Sequence, residues 1–231
     1  MVEVKFSLFR KELWFCKPNL INSILLVNYK QVKSRSFLYK SSIFYTLLID
    51  LKQTEQEIRR GFKSNYRNEI NRAIALKLSV EAEDNIPLFV DFYNRFAKEK
   101  KLDIISKNMK PYLSYLEVTK IIFENRVLVM HSYIMDKERK RVRLLHSATD
   151  LNGDMKIVGY ANKLLHLQDM LLFKSRGYEL YDFGGINPLS KDKKVNGIDR
   201  YKKGFGGEES IEYNSQSYML YYLKKLKRLY D

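Results

Sequence analysis

Two runs of β-branched and aromatic residues, Val127–Met135 and Val142–Thr149, are separated only by the charged segment Asp136–Lys140. Runs of that composition joined by so short a turn pair as an antiparallel hairpin. A parallel crossover needs a dozen or more residues between its strands. The centre of the chain therefore cannot belong to a doubly wound parallel sheet.

Helical signals flank the hairpin. Ile157–Ser175 carries Val158, Ala161, Leu164, Leu165 and Leu172 at helical spacing, and Gly177 stands where such a helix stops. Upstream, Ile43–Leu51 reads as a buried strand, and Thr54 with Glu57 three residues later is the capping signal of a helix. The pattern predicts helices over Ser64–Ala75 and Ile86–Lys100, the second started by Asp84 or Asn85, with a strand over Leu78–Ala82 between them. Glu179–Phe183 reads as a short strand, followed by a loop through Gly184, Gly185, Asn187, Pro188 and Gly197. Strands and helices intermixed with hairpins make the class α+β, with a mixed, mostly antiparallel central sheet flanked by helices.

With 231 residues there is room for one large domain or two small ones. Lys and Arg number 42 against 27 Asp and Glu, a net charge of +15, and residues 1–80 alone hold 15 basic and 6 acidic side chains. Such a field attracts nucleic acid, nucleotide-linked substrates or anionic lipid headgroups; the plain alternative is a charge that serves solubility. Cys16 is the only cysteine, which excludes an intramolecular disulfide and a cysteine-based zinc site. The opening Met-Val-Glu-Val-Lys does not read as a signal peptide, and the apolar runs Ile24–Val27 and Tyr45–Ile49 are too short to span a bilayer. The expectation is a soluble, cytoplasmic protein.

The densest glycine region is Tyr181-Asp182-Phe183-Gly184-Gly185-Ile186, followed by Gly197 to Glu208 with Lys202 and Lys203 inside it. Glycines at a strand end let backbone approach a ligand closely, and adjacent lysines supply charge for a phosphate or a developing oxyanion. Composition alone fits a structural loop equally well. The string GYELYDFGGI followed by GIDRYKKGFGGEESIEY resembles the C-terminal signature of Fem-type transferases. LLIDLKQTEQEIRRGFKSNYRNEINRAIALKLSV resembles the strand, helix and basic helix that open the acyltransferase domain of the same family.

That resemblance implies a GNAT-type N-acyltransferase fold. Fem-type proteins move an amino acid from aminoacyl-tRNA to the amine of a cell-wall precursor, and single-domain relatives acylate amino sugars. The family's larger enzymes carry two GNAT-like domains and a coiled-coil arm. This chain has room for one domain over residues 43–231 and an N-terminal lead over residues 1–42, packed on that domain, and shows no long heptad run. The donor expected is acyl-CoA, favoured by the single domain and the missing arm; the alternative is aminoacyl-tRNA, favoured by charge, and the second alternative is a non-catalytic basic module that docks nucleic acid or membrane. The acceptor implied is a nucleotide- or lipid-linked amino sugar or cell-wall precursor.

Lys202, and beside it Lys203, takes the role of stabilising negative charge on the acyl carbonyl or donor phosphate that the resemblance implies. Lys63, Arg67 and Arg72 lie in or beside the basic helix and are candidates for gripping a phosphate, with Gly184, Gly185 and Tyr201 lining the same substrate. Arg67 and Arg72 point about 140° apart on a helix and cannot share one phosphate. Asp182 and Glu208 are candidates for taking the proton of the attacking amine, although Asp182 at a strand end also suits a cap for the glycine loop. Lys156, Gly159 and Ala161 stand where acyl-CoA enzymes of the superfamily place a pyrophosphate loop, against the alternative of an ordinary helix start. His131, His146 and His166 read as core or surface histidines rather than a metal site, and none is expected. Tyr201 and Phe205 suit stacking on a base or sugar, or simply the core.

The last segment, Tyr218–Tyr230, is an amphipathic helix. Met219, Tyr222, Leu223, Leu226 and Leu229 form one face, and Lys224, Lys225, Lys227 and Arg228 the other. It either packs its apolar stripe on the sheet or lies against anionic lipid.

Overall fold

The computed structural model describes residues 1–105 and 109–230, and side chains of the last helix as far as Leu226. The chain opens with β1 (Val2–Lys5), β2 (Arg10–Trp14), a 3-10 turn at Ile21–Ile24 and β3 (Leu26–Lys30), then the long β4 (Tyr39–Asp50). Next come α1 (Glu55–Gly61), α2 (Ser64–Ala75), β5 (Ser79–Ala82) and α3 (Ile86–Lys100). The hairpin region is β6 (Leu116–Phe123), β7 (Arg126–Asp136) and β8 (Arg141–Thr149), followed by α4 (Met155–Ser175) and β9 (Leu180–Ile186). The chain ends with α5 (Lys193–Lys203), β10 (Glu208–Ser217) and α6 (Tyr218–Tyr230).

One sheet holds all these strands in the order β1-β2-β3-β10-β4-β9-β8-β7-β6-β5. Its neighbours run antiparallel except β2–β3 and β8–β9. The expected α+β class with a mostly antiparallel sheet and flanking helices is the one observed. Residues 1–42, expected as a lead, supply β1–β3 and the start of β4, so the 42/43 boundary falls inside a strand.

Alternation along β7 assigns its two faces. Val129 and Tyr133 pack with Leu164, Leu165 and Phe173 of α4 in the main core, which α1 and α2 complete through Ile58 and Ile70. Met130 faces Phe89 and Val90 of α3 on the other side, and Ile134 meets Val2, Val4, Trp14 and Phe15. The sheet must coil for its first strands to reach β7 in this way.

Local signals act as expected at the helix starts. Thr54 and Glu57 form a reciprocal capping box, and Asn85 caps α3. The parallel β8–β9 ladder stops at Arg143 opposite Asp182, although β8 continues to Thr149 and β9 to Ile186. The two strands part there, in the middle of the sheet.

Two expectations are corrected. The glycine–lysine loop is largely helical: Asp192 accepts from the Lys194 N–H and starts α5, which runs through Gly197 to Lys203. Gly184 and Gly185 belong to β9. The C-terminal helix forms, but Leu220 is the buried side chain, while Met219, Tyr222, Leu223 and Leu226 stay exposed. The apolar stripe thus does not pack on the sheet; Leu229, Lys227 and Arg228, named for its two faces, lie outside the described side chains.

Candidate active site

The site is built where β8 and β9 part. Asp182 is fully buried, and burial alone would raise its pKa; Arg141, then Arg143, Thr46 and Gln31, hold it below its ordinary value instead. Its Oδ2 accepts from Arg141 Nη2 at 2.6 Å and Gln31 Nε2 at 2.7 Å; its Oδ1 accepts from the Gly184 N–H at 2.7 Å and from Thr46 Oγ1. All of its acceptor directions are used, so it is an anchor for the glycines rather than a base for a substrate amine.

Gly184 adopts φ +72°, and a Cβ there would stand 3.2 Å from Arg143 Nη2 and from Leu144 O. Glycine is required because the guanidinium lies directly over the strand. Lys202, from the last turn of α5, donates to Gly185 O at 2.6 Å. Among the described residues no carboxylate lies within ion-pair distance of its ammonium. Burial, and then the neighbouring Arg143 charge, pulls its pKa down to about 8 against the smaller pull of Asp182 and Asp199.

The sequence-predicted residues divide clearly. Lys202, Gly184, Gly185 and Asp182 come together. Tyr201, half-buried, packs behind them against Tyr66 and Phe205, its hydroxyl buried and without a hydrogen-bond partner, so it serves the core more than a substrate ring; Phe205 is fully buried. Lys203 turns away into an ion pair with Glu209 at 2.5 Å, and Glu208 is exposed at the start of β10, opposite Leu48.

The basic helix meets α5, since the Lys63 N–H donates to Gly204 O and the Tyr66 hydroxyl to Tyr201 O. Its arginines are engaged elsewhere. Arg67 caps the carbonyls of Phe62 and Arg60 at the end of α1, and Arg72 donates to the Tyr160 hydroxyl at 2.8 Å.

Lys156, Gly159 and Ala161 are corrected too. They lie within the first two turns of α4, not in a loop. Asp154 accepts from the N–H groups of Lys156 and Ile157, and Gly159 O accepts from Lys163 Nζ. A carboxylate on the amides that would cradle a pyrophosphate repels it. These residues do not fit the pyrophosphate of acyl-CoA.

His131 and His166 are buried, and His146 is half-buried. His131 bonds Asp169 and Asn162, both at 2.9 Å, and stacks on His166 at 4.1 Å. His146 accepts or donates to Ser132, and burial lowers its pKa to about 4. No group of three metal-ligating side chains occurs among the described residues.

Sequence reasoning missed Arg143 and the cavity it borders. On the α3 side of the sheet, a cavity of about 420 Å³ opens between β2, β3 and β8. Arg143 stands in its wall over the Trp14 ring at 4.9 Å. Its Nε and the Trp14 Nε1 are buried without a hydrogen-bond partner. The alternating Arg-Val-Arg of β8 is visible as a strand in sequence, but only the structure shows Arg141 hydrogen-bonded to Asp182 and Arg143 Nε at 3.9 Å from the same carboxylate.

No family model and no curated protein matches the chain. Solved structures do. FemX superposes with a TM-score of 0.64 at 12% identity, over 79% of this chain and 63% of FemX, so the chain spans less than two thirds of that protein. L-PGS from Bacillus licheniformis gives 0.59 at 14%, over 84% and 68%. The C-terminal domain of a protein assigned as a lysylphosphatidylglycerol synthetase from Agrobacterium fabrum gives 0.54 at 12%, over 85% and 69%. At such identities the likeness is one of fold, and the fold is GNAT-like.

Proposed function

We propose that the chain is an N-acyltransferase acting at the parting of β8 and β9. The amine of an amino sugar or cell-wall precursor attacks the carbonyl of an activated acyl donor. The new C–N bond forms, the bond to the donor's leaving group breaks, and the proton lost by the amine ends on that leaving group. The observation that carries this reading is the Lys202 ammonium. It is half-buried, tethered to Gly185 O on β9 past the end of the β8–β9 ladder, and free of any carboxylate ion pair among the described residues. A fixed cation of that kind is worth most where negative charge develops on a carbonyl oxygen.

The Asp154 cap on α4 favours an aminoacyl ester over a CoA thioester as donor. The likeness to FemX and the net charge of +15 support aminoacyl-tRNA as that ester. The test is transfer of radiolabelled amino acid from a charged tRNA pool to glucosamine or to a cell-wall precursor fraction, run beside acetyl-CoA. Label on the amine from charged tRNA supports the reading. Acetylation from acetyl-CoA, with a rise in melting temperature on adding it, would reverse the donor. No amide product from either donor would reject the reaction.

A further inference from the structure

Acyl transfer needs a group that takes the proton of the attacking amine, and neither the saturated Asp182 nor the exposed Glu208 supplies it. His146 stands where such a group is needed. The β8–β9 ladder ends at Arg143 opposite Asp182; His146 is the third residue beyond that point on β8, and Gly185, whose carbonyl holds Lys202, is the third beyond it on β9. Each arm of the fork thus carries one of the two groups. Arg143 lies between them: its Nη2 would stand 3.2 Å from a Cβ at Gly184, and its charge acts on both Lys202 and His146.

Regular alternation along β8 would bury His146. Val142 and Leu144 point into the main core, and position 146 continues that series. The pairing with β7 shifts, however, from Tyr133 opposite Leu144 to Ser132 opposite His146, so Leu145 is an extra residue. Such a bulge reverses the faces of the strand beyond it. His146 and Ala148 therefore turn to the α3 side, where the His146 ring meets Tyr93 edge-on at 4.8 Å and Ala148 joins Phe89 and Val90. There His146 enters the wall of the cavity of about 420 Å³ that Arg143 also borders. That volume is in the range of small-molecule sites, about 300–1,000 Å³.

The ring is held at one nitrogen and open at the other. Nδ1 lies 2.9 Å from Oγ of Ser132, which is fully buried on β7. Nε2 has no hydrogen-bond partner among the described residues, and the side chain is half-buried. His131 differs in having both nitrogens engaged, and both it and His166 are buried. Burial, with the Arg143 charge, lowers the pKa of His146 to about 4, so its imidazole is neutral at neutral pH, the state a base requires.

We propose that His146 is the general base of the transfer, an assignment that rests on the acyl-transfer reading. Nδ1–H donates to the Ser132 hydroxyl, which leaves the lone pair on Nε2. Nε2 takes a proton from the amine as the new C–N bond forms, and the imidazolium keeps its bond to Ser132. As the tetrahedral intermediate collapses, the bond from the carbonyl carbon to the ester oxygen of the donor breaks, and Nε2–H returns the proton to that oxygen. Lys202 acts separately, on the negative charge of the carbonyl oxygen.

One test reads the open nitrogen without turnover. The chain has three histidines, and diethyl pyrocarbonate modifies a neutral imidazole nitrogen that it can reach. In the folded protein one histidine should react fast, mass spectrometry should place the label on His146, and the fast phase should be missing from His146→Gln. The second test is kinetic, with charged tRNA as donor and the amine acceptor varied. His146→Gln should lower kcat by about 10² or more with little change in KM or melting temperature. His146→Ala leaves a gap in the cavity wall, and added imidazole should restore its kcat by at least about tenfold, more with substituted imidazoles of higher basicity.

The assignment is overturned if His146 escapes the reagent in the folded chain, or if His146→Gln turns over as wild type. A folded His146→Ala whose lost kcat imidazole does not restore also overturns it and makes the ring a packing element. Wild type that forms no amide from either donor rejects acyl transfer and the base with it. Wild type that turns over beside an equally active His146→Gln rejects the base alone.

Discussion

Replacing Lys202 with methionine should stabilise the protein while disabling it. Holding that side chain charged in the fold draws its pKa from 10.5 to about 8, which costs about 3 kcal/mol at neutral pH. Methionine keeps much of the buried stem and removes the charge. It also removes the bond to Gly185 O, worth about 1 kcal/mol. The net gain is about 2 kcal/mol, or roughly 4–8 °C in melting temperature for a domain of this size. The sign follows from linkage. Between pH 8 and 10.5 the unfolded chain binds more protons at this site than the folded one, so wild-type stability rises with pH across that window. The advantage of Lys202→Met is therefore full below pH 8 and vanishes towards pH 10.5. Differential scanning calorimetry of both proteins from pH 6.5 to 10.5 tests this. A variant that melts lower than wild type at pH 7, or a difference that does not change with pH, would refute the argument that the ammonium is held against its own solvation.

Other predictions concern the surroundings of the site. Asp182→Asn leaves Arg141 buried with one formal partner fewer and should cost about 3–5 kcal/mol by urea unfolding. In the wild type, the Asp182 contribution is present above its unfolded pKa of 3.8 and is lost as pH falls below it. Arg67→Ala should lower the melting temperature through loss of the cap on α1 but leave kcat/KM of transfer within about twofold, since the side chain serves Phe62 and Arg60. Gly206→Ala should destabilise strongly, because φ is +77° and the added Cβ would stand 2.7 Å from Gly61 O. Asp154→Ala should cost about 1 kcal/mol in stability and bring no gain in acyl-CoA affinity if α4 is not a pyrophosphate site.

Features that depend on neighbours in sequence were legible, and those decided across the sheet were not. The bounds of α2 and α3 follow from local spacing and caps, and the β7–β8 hairpin from composition and a short turn. β10 was invisible because Glu-Glu-Ser-Ile-Glu-Tyr-Asn-Ser-Gln-Ser is polar; it becomes a strand by pairing with β4 along its whole length. β2 and β3 pair in parallel across a long connection, which no local signal specifies. In sequence α5 looks like a loop because Gly197 interrupts it, while the Asp192 cap and the packing of Tyr201 on Tyr66 override that weak preference.

The site shows the same division. Lys202 was found through its motif, and its distinction from Lys203 depends on which of two adjacent helical positions faces β9. Asp182 carries two readings in sequence, a base and a cap for the glycine loop, and the choice between them depends on its saturation by Gln31, Thr46 and Arg141, residues scattered over more than a hundred positions. Arg143 carried no motif at all. Its importance follows from the parting of β8 and β9 immediately beyond it, a feature of sheet geometry.

The central claim is that a withdrawn ammonium at this parting drives acyl transfer, and steady-state kinetics of two adjacent lysines test it most directly. With charged tRNA as donor and the amine acceptor varied, Lys202→Met should lower kcat by about 10²–10³ with little change in KM, the mark of an interaction made in the transition state. Lys203→Met, which breaks only the exposed pair with Glu209, should turn over as wild type. Equal kcat values for wild type and Lys202→Met, or a loss confined to Lys203→Met, would contradict the account.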